Sequence, residues 1–356
     1  MAELDHWHPV LLSRELGRKP RGVRLADHEI VVYRTASGGL GAFTDRCPHR
    51  GMRLSEGWVE GDRLVCGYHG WRWAADGRGE IPATPAARPC ARREDVFDVV
   101  ERYGAIWVKR AGAQATFPRI DTDGYWPAGV LRHRAAVPFE LALDNFIEVE
   151  HTPFVHFMLG YALEQMPEVE ARVTLSDDAV QVVNTGPKRP MPRILERMLR
   201  IPHDAKFVVE WTARFSPVHA VYDHSFIDAR TGECVTYPLR SAVFFNPVSP
   251  DSAEIFTFLF ATLGRFSEFG LGALIWPPMR AAMDLELRLD MKILARLADR
   301  RGNLRGRVLG RFDKALVASR ERIDRIYRGR AIEATPEAAD GREATRPGRR
   351  LPLAAS

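Results

Sequence analysis

CPHRGMRLSEGWVEGDRLVCGYHGWRW, residues 47–73, sets two cysteines and two histidines in the order Cys-x-His, then Cys-x-x-His: Cys47, His49, Cys66 and His69. Each short loop brings one thiolate and one imidazole to a shared place, and 16 residues separate His49 from Cys66. Soft sulfur with neutral nitrogen suits zinc or iron–sulfur chemistry. A zinc finger groups its cysteine pair before its histidine pair, whereas each loop here supplies one of each. A two-iron cluster wants that mixture, with both cysteines on one iron and both histidines on the other.

Around this stretch, residues up to about Arg110 read as all-β. Short runs such as EIVVYR, DRLVC, DVFDVVE and AIWVK alternate with Gly, Asp and Ser clusters. The turn-rich segment AGAQATFPRIDTDGYWPAG reads as a linker. A second region opens with RHRAAVPF and a helical stretch at LALDNFIEVEHTPFVHF. It continues through strands at KFVVEWTARF, ECVTYP, SAVFFNP and EIFTFLFATL, and ends in helical patterns at about 278–300 and 304–328. The fold class expected is therefore α+β: an all-β domain at 1–112, a linker at 113–130, and an antiparallel sheet with helices at 131–330. The aperiodic tail at 331–356 is expected to be disordered.

The chain has 356 residues, 46% of them hydrophobic, enough to bury a sizeable core. Four cysteines in such a length are no disulfide framework; Cys90 and Cys234 read as ordinary buried thiols. No signal peptide opens the chain and its longest apolar patch is too broken to span a bilayer, so a cytoplasmic protein with no membrane role is expected. The net charge of +5 comes largely from arginines after 300. Those stretches lack interleaved aromatics, which argues against nucleic acid; a solvated face and a disordered tail explain them, with an acidic protein partner as the other reading.

The rest of the chain must do more than carry electrons. Asn145, Glu148 and His151 recur every three residues, near one helical face, and His156 follows with Pro153 between. A proline there disturbs the helix, so the two imidazoles can converge. Two histidines and a carboxylate on one side of Fe(II) form an oxygen-activating site. Asp290 interrupts the apolar stripe Met283, Leu287, Leu294, Leu297, where a lone carboxylate costs several kcal/mol unless paired or metal-bound. Helix geometry alone leaves Asp290 as a ligand or as a partner of Arg288 or Lys292, with Glu286 as the fallback.

The chain up to about Arg300 resembles the α subunit of Rieske non-haem iron oxygenases, most of all the branch of dicamba and vanillate O-demethylases and methylxanthine N-demethylases. Arg50-Gly51 and Gly70-Trp71 beside the loops match it, as does the frame Asn145, Glu148, His151, His156, with Asp290 followed by Ile293 and Leu294. The resemblance implies a helix-grip catalytic domain, iron ligation by His151, His156 and Asp290, and a [2Fe–2S] cluster on Cys47, His49, Cys66 and His69. Histidine ligation puts such a cluster at roughly −150 to +300 mV. Glu148 stands where most members have Asp, and by resemblance bridges His69 of a neighbouring copy to His151 in a homotrimer; Glu150 lies off that face.

The activity implied is O₂-dependent hydroxylation or demethylation of an apolar or aromatic small molecule. Ring cis-dihydroxylation uses the same ligands, and an electron carrier with a non-catalytic ligand-binding domain is the reading from another class. No Gly-rich dinucleotide loop is present, so NAD(P)H must act through a separate flavin reductase, with or without a ferredoxin. The substrate pocket is expected between sheet and metal helix. Phe154, Phe157, Met158 and Tyr161 follow the ligands, and Phe256, Phe258 and Phe260 alternate along one strand; each reads as plain core before substrate contact, and together they favour an apolar or aromatic ligand.

Overall fold

A computed structural model describes residues 2–83, 95–199, 201–235, 239–262 and 272–330; Cys90 and the tail expected to be disordered lie outside them. The N-terminal half is built from ten short strands: β1 (His8–Leu12), β2 (Arg21–Leu25), β3 (His28–Arg34), β4 (Leu40–Thr44), β5 (Trp58–Glu60), β6 (Arg63–Val65), β7 (Arg72–Ala74), β8 (Gly79–Glu80), β9 (Phe97–Arg102) and β10 (Ala105–Arg110). They form small antiparallel sheets ordered β1-β10-β9, β2-β3-β4 and β5-β6-β7-β8. The β9–β10 hairpin turns on Tyr103 (φ 54°) and Gly104 (φ 79°), two left-handed residues in the geometry that matches strand twist.

The C-terminal half is one seven-stranded antiparallel sheet ordered β11-β17-β16-β15-β14-β13-β12. Its strands are β11 (Trp126–Ala135), β12 (Glu170–Leu175), β13 (Ala179–Pro187), β14 (Lys206–Phe215), β15 (Val218–Ile227), β16 (Leu239–Ser249) and β17 (Ser252–Ala261). Helices α1 (Phe139–Phe146), α2 (Thr152–Val155), α3 (Arg193–Leu199), α4 (Gly272–Leu294) and α5 (Lys314–Arg322) complete it. The expected α+β architecture is what the chain adopts.

Several boundaries differ from the periodicity reading. The long helix α4 starts earlier, holding Pro277 and Pro278 within it, and stops at Leu294 rather than 300. The second pattern is helical only from Lys314, continuing as a π turn through Ile323–Tyr327. Of ECVTYP, only an isolated bridge between Ile227 and Cys234 is described, and Cys234 is exposed rather than buried. Among the described residues, no helix is long and apolar enough to cross a membrane.

Strands β16 and β17 are buried on both faces, and alternation assigns their residues. Phe244, Phe256, Phe258 and Phe260 face the N-terminal half, where they cluster with Trp7, Leu12 and Trp107. Trp107 stacks on Phe258 (5.3 Å between centroids, 19°) and meets Phe244 edge-on at 4.9 Å. Each such fully buried ring contributes roughly 1.5–3 kcal/mol. His8 ties the same seam, its ring nitrogens 3.0 Å from Asn246 Oδ1 and 2.9 Å from the Glu3 carbonyl. The strand phenylalanines are thus core, at the joint between the halves, and Thr257, Val243, Tyr222 and Trp211 look the other way, towards the helices.

Candidate metal centre and active site

The two Cys/His loops are built alike. In the first, Cys47 N–H donates to Met52 O (2.8 Å) and Gly51 N–H to Cys47 O (2.9 Å); in the second, Cys66 N–H donates to Trp71 O (2.8 Å) and Gly70 N–H to Cys66 O (3.0 Å). Both loops close on a left-handed glycine, Gly51 (φ 73°) and Gly70 (φ 68°). Cys47 and Cys66 are buried among Tyr33, Phe43, Leu54, Leu64 and Trp73, whereas His49 and His69 are exposed. The two imidazoles lie side by side, 4.4 Å between centroids, with His49 stacked on Trp71. Desolvation and the charges of His49 and Arg50 lower the His69 pKa. Thiolates inside and imidazoles outside give the donor set two ends, one for each iron of a cluster.

The second group forms where α1 ends. Glu148 and His151 do not continue that helix, as three-residue spacing had indicated, because α1 closes at Phe146. A new helix, α2, begins at Thr152 with Pro153 in its first turn, where the missing N–H is no loss. His151 precedes α2 and His156 follows it with extended backbone (φ −100°, ψ 144°), so one short turn aims both rings at the same point. From α4, Asp290 meets them: it is 4% exposed, in the buried stripe of Met283, Leu287 and Leu294. Arg288, its alternative partner, instead pairs with Asp284 at 2.8 Å.

The distances decide what the three residues are for. His151 Nε2 lies 3.1 Å from His156 Nε2, and Asp290 Oδ1 lies 3.5 and 3.3 Å from those two nitrogens. Among the described residues this is the one group of three or more Cys, His, Asp or Glu whose ligand atoms all lie within 4.8 Å of one another. Adjacent ligands on a metal about 2.1 Å away would be about 3 Å apart, close to the three edges observed.

The backing of the rings agrees. His151 Nδ1 donates to Glu148 Oε1, and His156 Nδ1 sits 2.8 Å from Glu286 Oε2, though poorly aligned for a hydrogen bond. Carboxylates at both Nδ1 atoms keep the protons there and turn both Nε2 lone pairs towards the Asp290 oxygen. Three lone pairs facing one another are stable only around a cation, so the residues fit a metal. Burial alone would lower the His151 pKa, but the Glu148 hydrogen bond and the charges of Glu148 and Asp290 raise it.

Sequence reasoning missed part of this machinery. Glu286, weighed only as a substitute ligand, is fully buried; its Oε1 accepts from the Phe157 (3.2 Å) and Met158 (3.0 Å) amides while Oε2 faces His156. Arg189 clamps the loop by donating to the carbonyls of His156, Thr152 (3.1 Å) and Tyr161 (2.9 Å). Asn145 Nδ2 donates to Asp290 Oδ1 at 3.0 Å. Glu150 is exposed, and the contact with His151 Nδ1 is made by Glu148.

A pocket of about 660 Å³, its mouth included, opens between the sheet and α4 beside these ligands. Val209, Val243, Met283 and Leu287 supply apolar wall, with Trp211, Tyr222, His224, Ser241 and Thr257 between. Phe154 and Phe157 are instead 73% and 72% exposed, Met158 is exposed, and Tyr161 is core with its hydroxyl on the Asn184 and Phe207 carbonyls. None of the four lines the pocket.

Residues 6–103 match the Rieske [2Fe-2S] domain, and residues 135–328 match the vanillate O-demethylase oxygenase C-terminal domain. The chain belongs to the Rieske oxygenases with a vanillate O-demethylase-type C-terminal domain. The cofactors of this Rieske oxygenase are a [2Fe–2S] cluster and a non-haem iron.

It is 32% identical over 160 residues to the vanillate O-demethylase oxygenase subunit of a Pseudomonas species, covering 42% of this chain and 44% of that one. It is 28% identical over 219 residues to the dicamba O-demethylase oxygenase component of Stenotrophomonas maltophilia, covering 58% and 63%. The chain thus spans about half the length of these relatives. In fold it is similar to dicamba monooxygenase bound to 3,6-dichlorosalicylic acid: TM-score 0.74, 19% identity, 92% of this chain and 98% of that one.

Proposed function

We propose that this chain is a terminal oxygenase component, a Rieske-type non-haem iron monooxygenase that hydroxylates or oxidatively demethylates an apolar or aromatic small molecule with O₂ and NAD(P)H-derived electrons. The observation that carries this is the His151–His156–Asp290 triangle at the wall of a largely apolar pocket. Those residues would hold Fe(II); Cys47 and Cys66 would hold one cluster iron, and His49 and His69 the other. Iron bound there supplies O₂ activation, and the cluster supplies electrons one at a time.

The chain's own groups do the rest. Glu148 and Glu286 hold protons on the Nδ1 atoms, so the Nε2 atoms stay free to ligate, and Asn145 steadies Asp290. The valine, leucine and methionine walls exclude water beside the ligands. Glu148 is the bridge to His69 of a neighbouring copy in a homotrimer, and a separate reductase or ferredoxin feeds the cluster. We keep the division at 1–112, 113–130 and 131–330, and infer a cytoplasmic location. Similarity to enzymes named as O-demethylases supports demethylation over ring cis-dihydroxylation.

The test is anaerobic iron loading, followed by turnover with a surrogate reductase and product analysis by mass spectrometry. About three irons per chain and an oxygenated or demethylated product are expected. Two irons with an intact cluster spectrum and no product would leave only an electron carrier.

A further inference from the structure

Apart from His156 Nδ1, which faces Glu286 Oε2, three polar atoms on the pocket residues are buried and have no hydrogen-bond partner: Trp211 Nε1, His224 Nδ1 and Thr257 Oγ1. Trp211 and Thr257 are each only 1% exposed, so solvent does not satisfy them. An interior polar group left unpaired is costly unless a ligand completes it. The rest of the sheet face observes that rule: the Tyr222 hydroxyl, for example, donates to the Phe146 carbonyl at 2.8 Å.

The three atoms differ in kind. Indole Nε1–H can only donate, and a threonine hydroxyl does either. Burial lowers the His224 pKa to about 4, so its ring is neutral, and its hydrogen bond to the Leu239 backbone uses one nitrogen as donor. That leaves Nδ1 as an acceptor. Among the described residues no Lys or Arg lines the pocket, and the acidic ones that do are Glu148 and Asp290. Away from the iron that Asp290 and the two histidines would hold, an anionic group would meet no described cation.

Strand register places the groups. Trp211 on β14 stands opposite Tyr222 on β15, and His224 lies two residues along β15 on the same face. Thr257, opposite Val243, belongs to β17, two strands beyond β15. At about 4.8 Å per strand, Trp211 and His224 form one end and Thr257 the other, more than about 9 Å apart at the backbone.

We propose that the pocket selects a neutral, elongated, mostly apolar substrate ending in a phenol or carboxamide-type group. That group accepts from Trp211 Nε1–H and donates to His224 Nδ1, while a second polar substituent meets the Thr257 hydroxyl. This rests on the reading of the pocket as the oxygenase substrate site.

The test measures binding, by calorimetry under nitrogen, to the iron-loaded holoprotein. The probes share a methoxynaphthalene frame and carry, on the far ring, a hydroxyl, a carboxamide, a carboxylate, an ammonium group or hydrogen. The hydroxyl and carboxamide compounds should bind at least about ten-fold tighter than the other three. Trp211→Phe should cost those two about ten-fold and leave the hydrogen compound unchanged. Thr257→Val should weaken methoxy compounds relative to the same compounds without methoxy.

Tightest binding of the carboxylate or ammonium compound, an equal loss for every probe in Trp211→Phe, or no binding at all would overturn the assignment. The comparison among probes on the unaltered protein decides the matter even where a variant folds poorly. The two readings fail separately. The expected binding pattern without product on electron supply defeats only the oxygenase reading, and turnover of compounds lacking the pattern defeats only the pocket assignment.

Discussion

Glu286→Gln is the perturbation that isolates how the iron site is held. The carboxylate is fully buried and divides its oxygens: Oε1 takes the Phe157 and Met158 amides at 3.2 and 3.0 Å, and Oε2 faces His156 Nδ1 at 2.8 Å. Glutamine keeps the oxygen that serves the two amides, so the loop after His156 should keep its path. Its amide nitrogen, however, then points two hydrogens at the Nδ1 proton. The ring escapes that clash by moving its proton to Nε2, which removes a metal lone pair. Removing a carboxylate behind a ligating histidine typically weakens metal binding 10–100-fold, about 1.4–2.7 kcal/mol. Anaerobic titration with Fe(II) or Co(II) should therefore show a Kd raised by that factor, with the cluster spectrum as an internal control for folding. An unchanged Kd, or a cluster lost in parallel with the metal, would refute this role for Glu286.

Four further outcomes are expected. Asp290→Ala should bind about two irons rather than three per chain, retaining the cluster spectrum; full iron content would remove Asp290 from the ligand set. Glu148→Gln should weaken iron binding by a factor similar to that of Glu286→Gln yet, at saturating iron, keep both metals and stop NADH-driven turnover; full activity would discard the bridge. Burial holds His8 and His219 at about 4, below their ordinary 6.5. The unfolded chain then takes up protons that the folded chain refuses, so stability should be flat above pH 6.5 and fall as pH drops towards 4, by up to about 2 kcal/mol per histidine at pH 5. Urea midpoints across that range check it, and a midpoint unmoved between pH 7 and 5 would count against it. A Cβ at Gly57 would run into the Val65 and Leu54 carbonyls beside the second cluster loop, so Gly57→Ala should lower cluster incorporation, read from visible absorbance; wild-type incorporation would show that the loop yields.

What the sequence revealed follows how local each device is. The Cys47–His49 and Cys66–His69 loops were legible because ligand, turn and closing glycine fall within five residues of one another. Asp290 was legible as a carboxylate in an apolar stripe. The same signal also raised Glu286, one turn away, but periodicity cannot tell a residue that touches the metal from one that holds its ligand. The helix expected through Asn145 to His151 was wrong for a local reason: α1 stops at Phe146 and the histidines flank a separate turn. Phe256, Phe258 and Phe260 read first as core and are core; which side of the sheet they cover was not legible, because a strand buried on both faces has no polar side to orient it. The pocket itself left little trace. Trp211, His224 and Thr257 come from three different strands, and their only mark is a polar atom interrupting a run that is otherwise apolar.

The two carboxylates behind the histidines do the same local work, yet they are not equivalent. Glu286 is sealed in the core, its second oxygen already committed to two amides. Glu148 keeps 14% of its side chain exposed. Its Oε2 turns back to accept from the Glu150 and His151 amides (3.2 Å to the latter), so the longer side chain is folded onto its own backbone rather than extended. That fold-back absorbs the length of the glutamate side chain in the turn while Oε1 stays on His151 Nδ1. A carboxylate fixed by its own amides and partly open to solvent is able to accept one more proton donor from outside the chain without releasing the imidazole. Glu286 has no such opening. On the proposed bridge, an electron path from another copy enters by His151, because Glu286 offers His156 no such opening.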